Sequence, residues 1–522
     1  MFSRIQYHFT YRLGLAVLSG VLQIALFPKF GYVWLGWCFL VPLLVAIHQE
    51  HSSIRAFGLG WVSGAVFFTG SCYWITAVLK NYGDLGWLAS SLIFFLLVTY
   101  LACFNGVFTL LIARLAAPWP ILSFYVAPFL WVLAEFARTH LLTGFPWCLL
   151  GYSLIDHPYL VQIATLTGVY GLSFLLILVN ALLADILISP SRKSALVLAG
   201  TLLGIGGVSV LWKIPGIHPE TLKDHARMVQ TNIRLDQNWS KESRQHLLDE
   251  LVQLSLPDSR TEKPADGTSF SLILWPETPT PFYFNHDQEF RSQMQDIARK
   301  ANSYFLFGFV DFQDSHSAQL DGMPVNSVGV LSPSGDKISQ YNKVHLVPFG
   351  EYIPYPELFF FVNKISTEAG NFLPGREIVV SKLENGHALG TFICYEAIFP
   401  DLVRQFAHLG AEVFINVTND AWFGDSAAPF QHFNMARMRA VENRRYLLRV
   451  ANDGISAIVS PYGQVLTSAK RFERTVIVSR FDTKSDQTFY TQFGDIFAWA
   501  CLAISIGSCG LVEFVGWKRR QG

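Results

Sequence analysis

The 522-residue chain is half apolar (51%), 15% aromatic and only 15% charged, against roughly 25% charged in an average soluble chain. Lys+Arg and Asp+Glu stand at 39 each, so the basic surface required by a polynucleotide partner is lacking, and the hydrophobicity excludes a disordered chain. A membrane protein remains, or a chain that is part membrane and part globular.

Charge divides the chain into three. Residues 1–212 hold nine Lys/Arg and five Asp/Glu, and residues 496–522 hold three and one. Residues 213–495 hold 27 and 33, a soluble composition with a net charge of −6. The expected organisation is a transmembrane domain of about seven helices over 1–212, a globular domain over 213–495, and a C-terminal transmembrane helix with a basic tail over 496–522.

In chain order, the apolar runs are Tyr11–Phe27, Tyr32–Ile47, Ala56–Leu79, Gly86–Ala113, Pro120–Phe136, Leu160–Ile188 and Ala195–Leu211, with Ile496–Val515 after the globular part. A helix needs roughly 20 residues to cross about 30 Å of hydrocarbon, so the first two are short and one is a candidate re-entrant segment. A cleaved signal peptide is a poor reading, because further runs follow at once and no small-residue cleavage site stands out. With the N-terminus inside, nine basic residues fall on the inner side and Lys29, Lys80, Arg138 and Lys213 on the outer. The positive-inside bias then puts the globular domain outside the cytoplasm.

Within 213–495, strand-like runs alternate with amphipathic helical patterns. The strands expected are Ala226–Ile233, Phe270–Trp275, Tyr304–Val310, Ser327–Leu331, Ala388–Cys394, Val413–Val417, Leu447–Ala451, Ser456–Ser460 and Val476–Arg480. Helical spacing marks roughly 240–256, 287–301, 398–409 and 429–445. Sheets covered by helices are the expected architecture. Residues 353–375 fit neither pattern and read as a long loop with an aromatic tip, Phe359–Phe361, of the kind used as a lid or binding loop.

Of seven cysteines, only Cys394 belongs to the globular domain, so that domain has no internal disulfide. A lone Cys ending a core strand is as often an inert packing residue as a nucleophile. The local sequence, Thr391-Phe-Ile-Cys-Tyr-Glu396, runs a strand straight into a polar turn. A nucleophilic thiol needs a base and a group to hold the oxyanion. Leu272-Ile-Leu-Trp-Pro-Glu277 carries an apolar strand into a carboxylate, and Tyr341-Asn-Lys343-Val-His345-Leu-Val-Pro-Phe-Gly-Glu351 presents a Lys and then a Glu. Singly, each is readily a turn acid, a solvated charge or a cap. Together, at the ends of apolar strands, they make a candidate site. His345, two residues from Lys343 and on the same face of a strand, offers a rival Cys–His pair that leaves Glu277 and Lys343 unexplained. The 14 His are scattered, and there is no HExxH, paired CxxC or glycine-rich phosphate loop, so neither metal nor cofactor is expected.

WPE, YNKVHLVPFGEYIP and ICYE, in that order, resemble the Glu–Lys–Cys signature of the nitrilase superfamily. Joined to the apolar runs, the chain resembles the apolipoprotein N-acyltransferase family over essentially its whole length. Thr143-Gly-Phe-Pro-Trp147 with Gly151-Tyr-Ser, and Asn419-Asp-Ala-Trp-Phe-Gly424 with Gln431-His, also resemble family segments. The resemblance implies a multi-pass α-helical membrane domain, about eight transmembrane helices in all, plus a nitrilase-like α-β-β-α sandwich facing the periplasm from a bacterial inner membrane. It implies transfer of an acyl chain from a phospholipid such as phosphatidylethanolamine to the N-terminal amine of a diacylated apolipoprotein, through a thioester on Cys394. Glu277 is then the base, and Lys343 the oxyanion cation. Glu351, Tyr395, Glu396, Trp239 and Trp422 support the site or contact substrate. A monomer without nucleic-acid partner is expected. The alternatives are a membrane-tethered nitrilase-type amidase or lipid hydrolase, and a transporter with a regulatory domain, against which stands the lack of an array of intramembrane charges.

Overall fold

The computed structural model describes residues 9–48, 50–83, 86–116, 120–211, 214–235, 240–256, 270–313, 322–357 and 371–521. The chain divides into two compact units: one made of residues 1–80, 86–214 and 493–522, the other of residues 81–85 and 215–492.

The first unit is helical. Trp87–Ala116 and Val169–Ile188 are long and apolar enough to cross a membrane, and Ser53–Cys72 with Trp74–Tyr82, bent by 53°, makes a third if the pair is one span. Phe9–Ile24, Val33–Ile47 and Ile496–Leu511 are shorter apolar helical stretches. The run from Tyr32 opens with a 3-10 turn over Val33–Trp37 and becomes a helix only at Val41–Ile47. The run read as continuous from Leu160 is also broken. Gly168 takes φ +63°, where a side chain is disfavoured, and the regular helix Val169–Ile188 begins only after it.

Buried charge stabilises one irregular stretch of this unit. Arg138 Nη1 donates to the carbonyls of Phe145 (3.1 Å) and Trp147 (2.8 Å). Glu135 Oε1 accepts from Leu150 N (2.7 Å) and Trp131 Nε1 (3.0 Å). The non-helical Thr143–Leu149 segment thus finds partners for backbone groups that a helix would have satisfied internally.

The second unit contains twelve described strands: β1 Asp224–Gln230, β2 Ser271–Leu274, β3 Tyr304–Gln313, β4 Met323–Leu331, β5 Lys337–Asn342, β6 Val380–Lys382, β7 Ala388–Ile393, β8 Val413–Thr418, β9 Tyr446–Ala451, β10 Ala457–Val459, β11 Val465–Ser468 and β12 Thr475–Phe481. They form two six-stranded sheets, ordered β12-β1-β2-β3-β4-β5 and β11-β10-β9-β8-β7-β6. Each has three parallel strands at its centre, β1-β2-β3 and β7-β8-β9, with antiparallel strands outside them. The active-site candidates follow the parallel strands β2 and β7, whose ends are where open sheets of this kind offer a crevice.

Alternation along the strands sorts side chains between two cores. Ala226, Met228, Leu272, Leu274 and Leu306 join Phe392, Phe414, Ile415 and Leu448 of the other sheet in one cluster. Val229, Ile273, Trp275, Phe305 and Phe307 point the other way, onto Leu247 and Leu251 of helix Lys241–Ser255 and Phe290 and Met294 of helix Gln288–Ala301. Helices Pro400–His408 and Ala428–Asn443 cover the second sheet through Val403, Phe406, Ala436 and Ala440. The layers are helix, sheet, sheet, helix.

Candidate active site

Glu277 sits on the turn that ends β2. Trp275 N still donates to Leu306 O (2.9 Å), and Pro276 then stops the ladder. β3 approaches this turn closely at Gly308, where a Cβ would lie 2.6 Å from Pro276 O and 2.7 Å from Thr278 N. Glycine is therefore required beside the carboxylate. Glu277 Oε2 accepts from Asn419 N (2.9 Å), and Oε1 accepts from Asn326 Nδ2 (2.8 Å).

Lys343 follows β5 directly. Its N–H donates to Asn326 O and its carbonyl accepts from Gly375 N. Strand geometry ends at Asn342, so the alternation expected to turn Lys343 and His345 the same way does not extend to them. The Lys343 side chain is 1% exposed, with Nζ 2.8 Å from Glu351 Oε1 and 3.4 Å from Glu277 Oε1. Asn326 Nδ2 also donates to Glu351 Oε1 (3.0 Å), and Val347 N to Glu351 Oε2 (2.7 Å). Burial alone would lower the ammonium's pKa, but the carboxylates of Glu351 and then Glu277 outweigh it and hold the pKa above its usual value. Lys343 is a permanent buried cation.

Cys394 lies where β7 passes into the 3-10 turn Cys394–Ile398, with φ +50°. A non-glycine residue in that region is strained and persists only where its surroundings hold it. Glu396 supplies part of the hold. Its Oε2 accepts from Ile393 N (2.7 Å), and its Oε1 from Tyr341 Oη (2.7 Å), Val344 N (2.7 Å) and His345 N (3.1 Å). One fully buried carboxylate therefore ties the nucleophile's turn to the segment carrying Lys343. Burial, and secondarily Glu277, pushes the Cys394 thiol well up, while Lys343 and a hydrogen bond with Thr418 oppose the rise. At rest the group is a thiol.

A second buried network lies behind the turn. His432 Nε2 is 3.0 Å from Cys394 O, and its Nδ1 is 3.0 Å from Asp420 Oδ1 and 3.1 Å from Arg449 Nη2. Arg449 Nη2 donates to Asp420 Oδ2 (2.7 Å) and Nη1 to Asn416 Oδ1, while Asn416 Nδ2 donates to Phe392 O (3.1 Å). Arg449 and His432 hold the Asp420 carboxyl below its usual range despite its burial. Asn326, Asp420, His432 and Arg449 are not among the site residues expected from the sequence. Asp420 and His432 lie in segments that carried the family resemblance; for Asn326, alone on a strand, no signal existed.

The remaining candidates are dispersed. Tyr395 is buried next to Cys394, its ring 5.3 Å from that of Phe399. The His345 ring lies against Phe399, 3.8 Å between centroids. Trp422 is 43% exposed, its ring edge-on to Tyr82 at 4.8 Å. Trp239 and the aromatic tip Phe359–Phe361 lie outside the described residues. Among the described residues, no group of three His, Cys, Asp or Glu is placed to hold a metal ion.

Residues 19–182 match the apolipoprotein N-acyltransferase N-terminal domain family, and residues 225–488 match the carbon-nitrogen hydrolase family. The apolipoprotein N-acyltransferase of Geobacter metallireducens is 36% identical over 97% of this chain and 95% of its own length. Those of Pasteurella multocida and Haemophilus influenzae are each 31% identical, over 93% and 98% of this chain and 92% and 96% of theirs. Among solved structures, an amidase from Nesterenkonia sp. is 21% identical, covering 52% of this chain and 93% of its own, with a TM-score of 0.37.

Proposed function

Because the chain belongs to the apolipoprotein N-acyltransferase family, and is an acyltransferase of lipoproteins, we propose that it works through a thioester on Cys394 with Glu277 as base and Lys343 as oxyanion cation. One observation carries this reading: the buried Lys343 ammonium lies between the carboxylates of Glu277 and Glu351, and the Glu396 carboxylate ties the Cys394 turn to the segment that bears Lys343.

In the first half-reaction Glu277 takes the thiol proton and Cys394 Sγ attacks the sn-1 ester carbonyl of a phospholipid, phosphatidylethanolamine being the expected donor. Negative charge develops on the carbonyl oxygen, where Lys343 Nζ and the Tyr395 backbone N–H stabilise it. Glu277 returns the proton to the leaving glycerol oxygen, giving a lysophospholipid and the acyl-enzyme. In the second half-reaction the α-amine of a diacylated N-terminal cysteine attacks the thioester. Glu277 removes a proton from the nitrogen and delivers it to the departing sulfur. Glu351 holds Lys343, Glu396 holds the turn, and Trp239 and Trp422 contact lipid or acceptor.

The described helices, two long and apolar enough to cross a membrane, a third if the bent pair is one span, and three shorter ones, support a multi-pass membrane protein; about eight spans and a monomer are the organisation proposed, on the apolar runs of the sequence. Its charge distribution supports residues 213–495 as the periplasmic catalytic domain, with 1–212 and 496–522 in the membrane. Purified enzyme given acyl-labelled phosphatidylethanolamine and a diacylated lipopeptide tests the chemistry. Label on the peptide amine, with a labelled Cys394 peptide in the absence of acceptor, is expected; release of free fatty acid alone would replace this reading with a lipid hydrolase.

A further inference from the structure

We infer that His432 is a positioning residue for the oxyanion donor: it holds the Cys394–Tyr395 peptide so that the Tyr395 N–H faces the reacting carbonyl. This rests on the acyl-transfer reading above and goes beyond its three reacting groups.

A carbonyl oxygen only accepts, so at 3.0 Å from Cys394 O the His432 Nε2 must carry a proton and donate. This holds whether or not the ring is charged. A trans peptide is planar, with its C=O and N–H on opposite edges. Fixing Cys394 O on the His432 side therefore turns the Tyr395 N–H to the other side. Cys394 is also the residue with φ +50°, so the adjoining peptide is one that relaxation would tend to rotate. Ile393 N, on the preceding side, is already held by Glu396 Oε2. The two tethers lie on either side of the nucleophile, one at the Phe392–Ile393 peptide and one at the Cys394–Tyr395 peptide.

The ring itself has no freedom. His432 is fully buried on the helix Ala428–Asn443, and its other nitrogen lies between Asp420 Oδ1 and Arg449 Nη2. Asp420 is fixed in turn by Arg449 and by Thr418 Oγ1 (3.0 Å). An imidazole packed only for volume would not need a charged pair to orient it. A donor aimed at one carbonyl does.

The test separates attack by sulfur from stabilisation of an oxyanion. A haloacetamide alkylates Cys394 by displacement, with no tetrahedral oxyanion, whereas thioester formation from labelled phosphatidylethanolamine passes through one. His432→Asn keeps a polar group near Asp420 but does not reach Cys394 O; His432→Gln does reach it. The Asn variant is expected to lose thioester formation by about 10²- to 10³-fold, the loss typical of one missing oxyanion donor, while its alkylation rate stays within about threefold of wild type. The Gln variant recovers most of the lost rate. Should the Asn variant fail to accumulate in membranes, His432→Leu, which also lacks the donor, makes the same comparison. Equal losses in alkylation and acylation would overturn the inference, since His432 would then merely support the fold, as would wild-type acylation in the Asn or Leu variant. Failure of the wild-type enzyme to form any thioester would instead sink the acyl-transfer reading itself.

Discussion

Lys343 Nζ lies closer to Glu351 Oε1, at 2.8 Å, than to Glu277 Oε1, at 3.4 Å, so the ammonium leans toward the carboxylate that is not the proposed base. That offset matters chemically. A full ion pair with Lys343 would make Glu277 a poor proton acceptor, whereas Glu351 draws the cation off while leaving it buried and charged. Glu351→Gln is expected to let Lys343 close on Glu277 and to slow thioester formation without changing lipid binding. Glu351→Ala should in addition destabilise the protein by about 1.5–3 kcal/mol, as for loss of a hydrogen bond to a charged group. Rates from labelled phosphatidylethanolamine, together with thermal unfolding in detergent, check both; an unchanged rate in the Gln variant would show that Glu351 does not tune Glu277.

Asn326 is the other group both carboxylates share, its Nδ2 donating to Glu277 Oε1 and Glu351 Oε1 at 2.8 and 3.0 Å. Asn326→Leu keeps the shape and removes both bonds. Loss of one hydrogen bond to a charged acceptor is worth about 1.5–3 kcal/mol, so thioester formation should fall by roughly 10- to 100-fold. Asn326→Asp adds a third carboxylate beside the pair and should be worse than Leu. Wild-type thioester formation in the Leu variant would mean that Asn326 only fills space.

How much of this could be read beforehand depended on where the information lies. β2 and β3 are legible because Leu272–Trp275 and Tyr304–Phe309 are apolar on both faces, as strands between helices and a second sheet must be. β5, β6 and β11 are not legible in the sequence. Lys337–Asn342 is mostly polar and half-exposed, Val380–Lys382 has three residues, and Val465–Ser468 is an exposed sheet edge. Edge strands are paired on one side only and carry weak hydrophobic patterns. In the site, Glu277 and Cys394 are legible because each ends an apolar strand. Asn326 meets Glu277 across 49 residues, and His432 meets Cys394 across 38. Such meetings are made by tertiary packing and leave no periodicity in the chain.

The resting thiol gives a prediction opposite in sign to the usual reactive cysteine. Burial, then Glu277, pushes the Cys394 pKa well above its usual value, and only the thiolate alkylates. Haloacetamide labelling should therefore rise about tenfold per pH unit across neutral and mildly alkaline pH, without levelling. Glu277→Gln removes a like charge and should speed alkylation while abolishing acyl transfer. Lys343→Met removes the opposing cation and should slow it. Mass spectrometry of the Cys394 peptide against time reads all three, and a plateau near neutral pH in the wild type would contradict the account.

Glu396 should make stability depend on pH. Burial pushes its carboxyl up to about 7, against an ordinary 4.5 and despite the hydrogen bonds from Ile393, His345 and Tyr341. Between those values the folded chain holds a proton that the unfolded chain has released. Folding then takes up a proton, so stability is greatest below about 4.5 and declines as pH rises toward 7. The full span corresponds to about 3 kcal/mol from this residue. Asp224 and Asp453 are each pushed by burial to about 6 and contribute in the same direction, so the wild-type curve alone does not isolate Glu396. Its share is the difference from Glu396→Gln, whose single amide oxygen still accepts from Tyr341, Val344 and His345 but no longer from Ile393 N, and which has no titration. Melting temperatures of the two proteins in detergent should diverge across this window in that sense: the wild type loses stability from pH 4.5 to 7 more steeply than the variant. Parallel curves would mean that Glu396 is ionised throughout, held so by its four donors.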